Sequence, residues 1–237
     1  MKTTYRRVML KLSGEALKGE KDLFDFDKVR EMAGIIRQMH DTGTQIGIVI
    51  GAGNIWRGRQ GPSANMDATI ADQMGMLGTV INCLCMSDAL RKEGLQATVM
   101  SAVDMHRFCE PFHAIRARSL MEEGHIVLFG AGSGNPFFST DTAVVLRALE
   151  TECDAILMAK NIDGVYSADP RTDPTAHLIP DITYDEALRL GLKVMDAAAF
   201  QLCQEQHLPQ IRVFGLDDPQ NLVRVLEGEA LGTIVHP

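Results

Sequence analysis

The chain has 237 residues, of which 46% are hydrophobic and 23% charged, and its formal net charge at pH 7 is −8. This length fits one large α/β domain, with two small domains as the alternative, and the apolar content suffices to fill a core. The acidic balance argues against nucleic acid as the main partner, because a nucleic-acid backbone requires a basic face.

The cysteine and histidine spacings exclude two further classes of protein. The five cysteines form no C-x-x-C pair, and no two of the seven histidines have zinc-ligand spacing. We therefore expect no structural metal and no disulfide framework, and we interpret the cysteines as reduced core thiols of a cytoplasmic protein. No apolar stretch reaches the length of a signal sequence or a membrane span, so we expect no membrane partner.

Short apolar runs alternate with helical patterns from the first residues onward. The runs predict strands at 8–12, 46–50, 97–100, 126–129, 155–158 and 211–214. Apolar residues three and four positions apart predict helices at 27–40, 66–92, 114–123 and 142–149. This order predicts an α/β fold, a three-layer α/β/α sandwich with a mostly parallel central sheet.

Glycine-rich loops follow four of the predicted strands. They are Ser13-Gly14, Gly51-Ala52-Gly53-Asn54, the stretch from Gly130 to Asp141, and Asp163-Gly164. Ligands of parallel sheets bind outside the carboxyl ends of the strands, where such loops would meet. Lys11 lies inside the first apolar strand, so its ammonium either reaches solvent along the surface or faces a bound phosphate.

The loop from Gly130 to Asp141 connects a predicted strand to a predicted helix. Ser139, Thr140 and Asp141 are residue types that cap helices, and a helix N-terminus behind glycines suits an anion. The loop lacks the Lys-Ser/Thr pair of a P-loop and the third glycine of a dinucleotide fingerprint. An ordinary turn and a phosphate site of some other fold both remain open at this point.

Five motifs together resemble those of the bacterial uridylate kinases, a family of the amino-acid kinase superfamily. The motifs are Lys11-Leu12-Ser13-Gly14-Glu15, Gly51-Ala52-Gly53-Asn54 with Arg57-Gly58, 71–77, Gly134-Asn135-Pro136-Phe137-Phe138-Ser139-Thr140-Asp141, and Asp163-Gly164-Val165-Tyr166 with Ala168-Asp169-Pro170. The likeness extends from the first strand to Gly232-Thr233-Ile234-Val235. It implies the amino-acid kinase fold and transfer of the ATP γ-phosphoryl group to UMP in pyrimidine nucleotide biosynthesis.

The resemblance also implies roles for individual residues. Lys11, Arg57 and Asp141 are the expected catalytic residues: Lys11 and Arg57 as phosphate-binding cations, Asp141 as the group that orients Lys11 or binds Mg²⁺ through water. The expected ATP contacts are Lys11, Leu12, Ser13, Gly14, Gly53, Arg57, Lys160, Asn161, Tyr166 and Asp169. The expected UMP contacts are Ala52, Asp72, Ser133, Gly134, Asn135, Pro136, Phe137, Phe138, Ser139 and Thr140.

Further implications concern partners and organisation. Mg²⁺ is expected to arrive with ATP, because no dense carboxylate cage is visible in the sequence. Residues 1–237 form one kinase domain, with the acceptor bound by about 1–150 and ATP by about 151–237. The methionine-rich helix at 66–92 is apolar nearly all round, which predicts a subunit interface. The family implies a hexamer, with GTP as an activator and UTP as an inhibitor.

Three positions depart from the family pattern. Ala52 stands where relatives usually have glycine, Lys160-Asn161 replaces a threonine-containing pair of some relatives, and the loop 18–24 is shorter and poorer in glycine than the loop associated with GTP activation. Two other functions stay open: a related kinase with an acyl phosphate acceptor, and a non-catalytic nucleotide-binding protein on the same scaffold. The first should lack Asn135-Pro136-Phe137-Phe138, and the second should have lost Lys11, Arg57 or Asp141.

Overall fold

The computed structural model describes residues 3–56, 65–192 and 195–237. The strands in these ranges are β1 (Arg7–Leu12), β2 (Gln45–Ile50), β3 (Ala97–Ser101), β4 (Glu110–Pro111), β5 (Ile126–Gly130), β6 (Ala155–Lys160), β7 (Val165–Tyr166), β8 (Leu178–Ile179), β9 (Asp181–Thr183), β10 (Ile211–Gly215) and β11 (Thr233–His236). The α-helices are α1 (Phe26–Asp41), α2 (Ala68–Lys92), α3 (Ala114–Glu122), α4 (Thr140–Glu150), α5 (Tyr184–Arg189), α6 (Ala197–Glu205) and α7 (Asn221–Leu226). A 3₁₀ helix covers Gly14–Leu17.

Among the described residues, nine strands form the main sheet, in the order β4-β3-β5-β2-β1-β6-β10-β11-β9. The strands from β4 to β10 in this order are parallel, and β11 turns antiparallel to β10 and carries β9 parallel to itself. β7 and β8 form a separate antiparallel pair. The predicted mostly parallel sheet is confirmed, as are all six predicted strands and all four predicted helices.

Apolar cores lie on both faces of the sheet. Side chains alternate along β1, so Val8, Leu10 and Leu12 pack with α1, α2 and α7, whereas Met9 packs with α3 to α6. Lys11 follows the alternation onto the face of Met9, which is the face that α4 covers. The position of Lys11 near the end of β1 is therefore set by the same pattern that fills the core.

Polar caps fix where the helices begin. The Asp25 carboxylate accepts hydrogen bonds from the amides of Asp27 and Lys28 at the start of α1. Ser139 Oγ accepts from the Asp141 amide at 3.0 Å, which confirms the predicted cap of α4. The cap also fixes the position of Asp141 in the first turn of α4.

None of the helices in the described part of the chain combines the length and the apolar character needed to cross a membrane.

Candidate active site

The parallel strands β1, β2, β5 and β6 all end at one edge of the sheet, and a glycine-containing loop follows each of them. The loops pack tightly against one another. A Cβ added at Gly14 would overlap both the Asn54 side-chain oxygen and the Gly51 carbonyl oxygen. Only glycine permits this approach, so the loop after β1 rests directly on the loop after β2.

A lysine and an aspartate form an ion pair at this edge. Lys11 Nζ lies 2.8 Å from Asp141 Oδ1, and their side chains are only 14% and 17% exposed. Lys11 is therefore not a surface lysine. Its charge is balanced by Asp141 and held at the position where β1 ends and α4 begins.

A second lysine and a second aspartate complete a cluster of four charges. Burial lowers the pKa of the Lys160 ammonium from its ordinary value, Asp141 and Asp196 raise it, and Lys11 lowers it. The hydroxyl of Ser139 donates to the Asp196 carboxylate, which joins the start of α6 to the cap of α4. Lys160, a predicted ATP contact, therefore lies close enough to Lys11, Asp141 and Asp196 to interact with their charges. Asp196 was not predicted, because its only local signal is its position before a helix.

The loop between β5 and α4 contains two non-glycine residues with left-handed backbone. Ala131 has φ +62° and Phe137 has φ +69°. Each amide is held by a side chain of α2: Ala131 donates to Thr79 Oγ1 at 2.8 Å, and Phe137 donates to Asp72 Oδ2 at 2.7 Å. Backbone strain that neighbouring groups hold in place is typical of functional sites. Thr79 was not predicted, since its partner is remote in sequence.

A cavity of about 180 Å³ lies between α2 and this loop. Its walls combine backbone, small side chains and a few polar groups. They are Ala52, Ala71, Asp72, Gly75, Met76, Thr79, Gly132, Ser133, Phe138, Ser139 and Thr140. Six of the ten predicted UMP contacts line this cavity, and the other four, at 134–137, lie in the same loop without lining it.

The backbone of Ala52 does not adopt a positive φ, so an alanine causes no strain at this position, for which the family pattern predicts glycine. Ser13 caps the 3₁₀ helix by accepting from the Glu15 amide. Leu12 is buried in the core, and Gly53 lies near the Glu15 side chain. Arg57, the third predicted catalytic residue, lies outside the described residues.

The other predicted ATP contacts lie beyond β6, away from the cavity. Tyr166 is half-buried, and its hydroxyl donates to the Asp163 carboxylate at 2.9 and 3.2 Å. Hydrogen bonds from Arg171 lower the pKa of Asp169 to about 2, so this carboxylate stays ionised at neutral pH. Asn161 is exposed directly after β6. None of these three residues lines the cavity. They are also not part of the charge cluster at the edge of the sheet.

Comparisons with known proteins agree with this arrangement. The model of the amino acid kinase family matches residues 6–214. The chain is 50% identical to a protein named uridylate kinase from Nocardioides sp. and 49% identical to one from Bacteroides thetaiotaomicron, in each case over 98% of both chains. It is also similar to the crystal structure of UMP kinase from Bacillus anthracis, with a TM-score of 0.94 and 36% identity over 98% of this chain and 96% of that one.

Proposed function

The chain belongs to the amino acid kinase family, and we propose that it catalyses the phosphorylation of UMP by ATP, which yields UDP and ADP. One observation carries this function: the cavity between α2 and the β5–α4 loop is lined by Thr140, the residue directly before Asp141 of the Lys11–Asp141 ion pair. An acceptor bound in the cavity therefore has its reacting end at the balanced cation. This geometry suits transfer of an anionic group.

We assign the cavity to UMP. Asp72 and Phe138 both line it, and they supply a carboxylate and a half-exposed aromatic ring. A carboxylate accepts from ribose hydroxyls, and an aromatic face stacks on a base. The amide of Phe137 already occupies one oxygen of Asp72, so its carboxylate both holds the loop and faces the cavity.

We assign ATP to the other side of the charge cluster. Its phosphates would lie over Ser13, Gly14 and Gly53, and its adenosine near Asn161, Tyr166 and Asp169. Mg²⁺ would enter as the ATP complex, and such ions use one or two carboxylates together with phosphate oxygens. Asp141 and Asp196 are the carboxylates beside the two lysines. Within 3–56, 65–192 and 195–237, no cluster of three or more His, Cys, Asp and Glu side chains is arranged to hold a metal by itself.

The chemistry needs positioning and charge rather than a strong base. A phosphate monoester has a second pKa of about 6, so the attacking UMP oxygen is already largely ionised at neutral pH. This oxygen forms the new bond to the γ-phosphorus as the bond to the ADP oxygen breaks, and charge spreads over the transferred group. Lys11 and Lys160 would stabilise that charge, and Asp141 would hold Lys11 in place instead of removing a proton.

The assembly, regulation and location of the enzyme follow as further proposals. Ile70, Leu77, Ile81 and Leu84 are exposed on α2, which supports a homo-oligomer, and the family suggests a hexamer. Activation by GTP and inhibition by UTP rest on the resemblance alone. A cytoplasmic location is supported by the five free cysteines, four of which are buried thiols.

An ADP-release assay with separate acceptors tests the function. UMP, CMP, dTMP and acetylglutamate are offered in turn with MgATP, and a reaction without acceptor corrects for ATP hydrolysis. We expect the highest kcat/KM with UMP. Release with another acceptor and none with UMP would contradict the assignment, and no release with any acceptor would favour a non-catalytic nucleotide-binding protein.

A further inference from the structure

Two asparagine side chains form a closed hydrogen-bonded pair beneath the glycine loops. Asn54 belongs to the loop after β2, and Asn82 lies in α2. The two residues are buried, with exposed fractions of 5% and 0%. Asn54 Nδ2 donates to Asn82 Oδ1 at 3.0 Å, and Asn82 Nδ2 donates to Asn54 Oδ1 at 2.8 Å. Rotating either amide by 180° would place like groups together, so the pairing fixes the orientation of both side chains.

The second N–H of each amide donates to a backbone carbonyl. Asn82 Nδ2 donates to Gly51 O at 2.7 Å, and Asn54 Nδ2 donates to Leu23 O at 3.0 Å. All four N–H groups of the pair therefore have acceptors. A buried amide network in which every N–H group has an acceptor is rigid, because any shift leaves a buried polar group without a partner.

The carbonyl that Asn82 holds belongs to the reaction edge of the sheet. Gly51 is the first residue after β2, and its amide donates to Leu12 O at the end of β1. The Gly51 carbonyl oxygen and the Asn54 amide oxygen are two of the three atoms that a Cβ on Gly14 would overlap, and the third is the Gly53 amide nitrogen. The loop that follows Lys11 thus rests on atoms that Asn82 fixes.

We propose that Asn82 is a positioning residue for phosphoryl transfer, which acts by fixing the Gly51–Asn54 loop, and through it the Ser13–Gly14 loop, relative to α2. The proposal rests on the function proposed above. The same helix contributes Asp72 to the cavity and holds Ala131 through Thr79. One rigid element therefore sets the distance between the acceptor cavity and the loops beside Lys11.

Asn82→Asp tests the role with almost no change in size. The carboxylate still accepts from Asn54 Nδ2 but can donate neither to Gly51 O nor to Asn54 Oδ1. Ser87→Ala is the matched control, because Ser87 is buried in the same helix and donates only to Leu84 O, away from the loops. We expect Asn82→Asp to lower kcat by about 10- to 100-fold, since small misplacements of reacting groups have effects of that size. KM for UMP should change less than kcat, and Ser87→Ala should change neither.

A second measurement does not depend on activity. Trp56, the single tryptophan of the chain, lies two residues after the Gly51–Asn54 loop, and its Nε1 donates to Ala71 O in α2 at 2.8 Å. Quenching of the Trp56 fluorescence by acrylamide measures how accessible the indole ring is to solvent, and therefore how closely this segment packs against α2. We expect Asn82→Asp to increase quenching and Ser87→Ala to leave it unchanged.

The outcomes separate this proposal from the proposed function. A wild-type protein without UMP-dependent turnover would contradict the function, and Trp56 quenching would then test the positioning alone. Folded Asn82→Asp with wild-type kcat and quenching would overturn the positioning role, as would equal losses of kcat in both variants. If circular dichroism shows that Asn82→Asp does not fold, the uncharged Asn82→Ala takes its place in the same measurements.

Discussion

At the scale of single residues, the Lys11–Asp141 ion pair gives the sharpest expectation. A lysine ammonium about 4 Å from a negative charge on the transferred phosphoryl group would stabilise that charge by about 4 kcal/mol, at an effective dielectric constant of 20. Lys11→Ala should therefore lower kcat by about three orders of magnitude. The cavity lining does not include Lys11, so the Kd of UMP, measured by titration calorimetry, should stay near the wild-type value.

Lys28→Ala is the control for that experiment. Lys28 is an exposed lysine whose Nζ donates to Lys18 O. It belongs to α1, which packs on the face of the sheet opposite to Lys11. It should keep wild-type kcat. Turnover close to wild type in Lys11→Ala would contradict the assigned role.

Residues that depart from their local pattern could be predicted from the sequence. Lys11 is a charge within an apolar strand, and Asp141 follows a capping serine. Asp196 and Thr79 could not be predicted, because their partners Ser139 and Ala131 are 57 and 52 residues away. Only the packing of α6 and α2 onto the sheet edge brings these pairs together.

At the scale of elements, two helical glycines give opposite predictions for the same substitution. A Cβ at Gly78 of α2 would lie 2.9 Å from Ala52 Cβ, whereas a Cβ at Gly34 of α1 meets nothing within 4 Å. Gly34→Ala should raise the free energy of unfolding by about 0.5–1 kcal/mol, the difference in helix propensity. Gly78→Ala should instead lower the free energy of unfolding, by about 1–3 kcal/mol, since α2 must move away from the glycine loop.

Urea denaturation and steady-state kinetics would measure both effects. Because Ala52 lines the cavity, Gly78→Ala should also raise KM for UMP, and Gly34→Ala should leave it unchanged. Equal stabilisation by both alanines, with unchanged KM, would show that α2 does not depend on this close approach.

The strands that could be predicted from the sequence are those long enough to show an apolar run without reference to their neighbours. β1, β2, β3, β5, β6 and β10 each have five or six residues and are largely apolar. β4, β7 and β8 have two residues each and exist through pairing with a neighbour. Such short segments have no periodicity from which a strand could be inferred.

At the scale of the whole molecule, the sheet order joins distant parts of the chain. β1 lies between β2 and β6, so the predicted acceptor-binding part at 1–150 and ATP-binding part at 151–237 share one continuous sheet. The class of fold follows from alternating strands and helices, but the order of the strands does not. It depends on crossovers whose packing involves residues far apart in sequence.

Exposed apolar residues on the outer face of α2 predict an interface between copies of the chain. The inner face of this helix holds the loops, while Ile70, Leu77, Ile81 and Leu84 are 37–50% exposed at spacings of seven, four and three residues, which form one stripe. Scattered apolar residues are ordinary on protein surfaces, but a continuous stripe favours an interface. Replacing Leu77 and Ile81 together by Glu should therefore lower the molar mass measured by light scattering at micromolar concentration.

Leu190→Glu is the control, since Leu190 is 52% exposed directly after α5, away from the stripe. It should leave the molar mass unchanged. A wild-type protein that is already monomeric would remove the interface from consideration, and equal dissociation in both variants would assign it elsewhere. If only the α2 variant dissociates and also loses kcat, assembly supports the same helix that holds both glycine loops, because a partner on its outer face restricts the motion of its inner face.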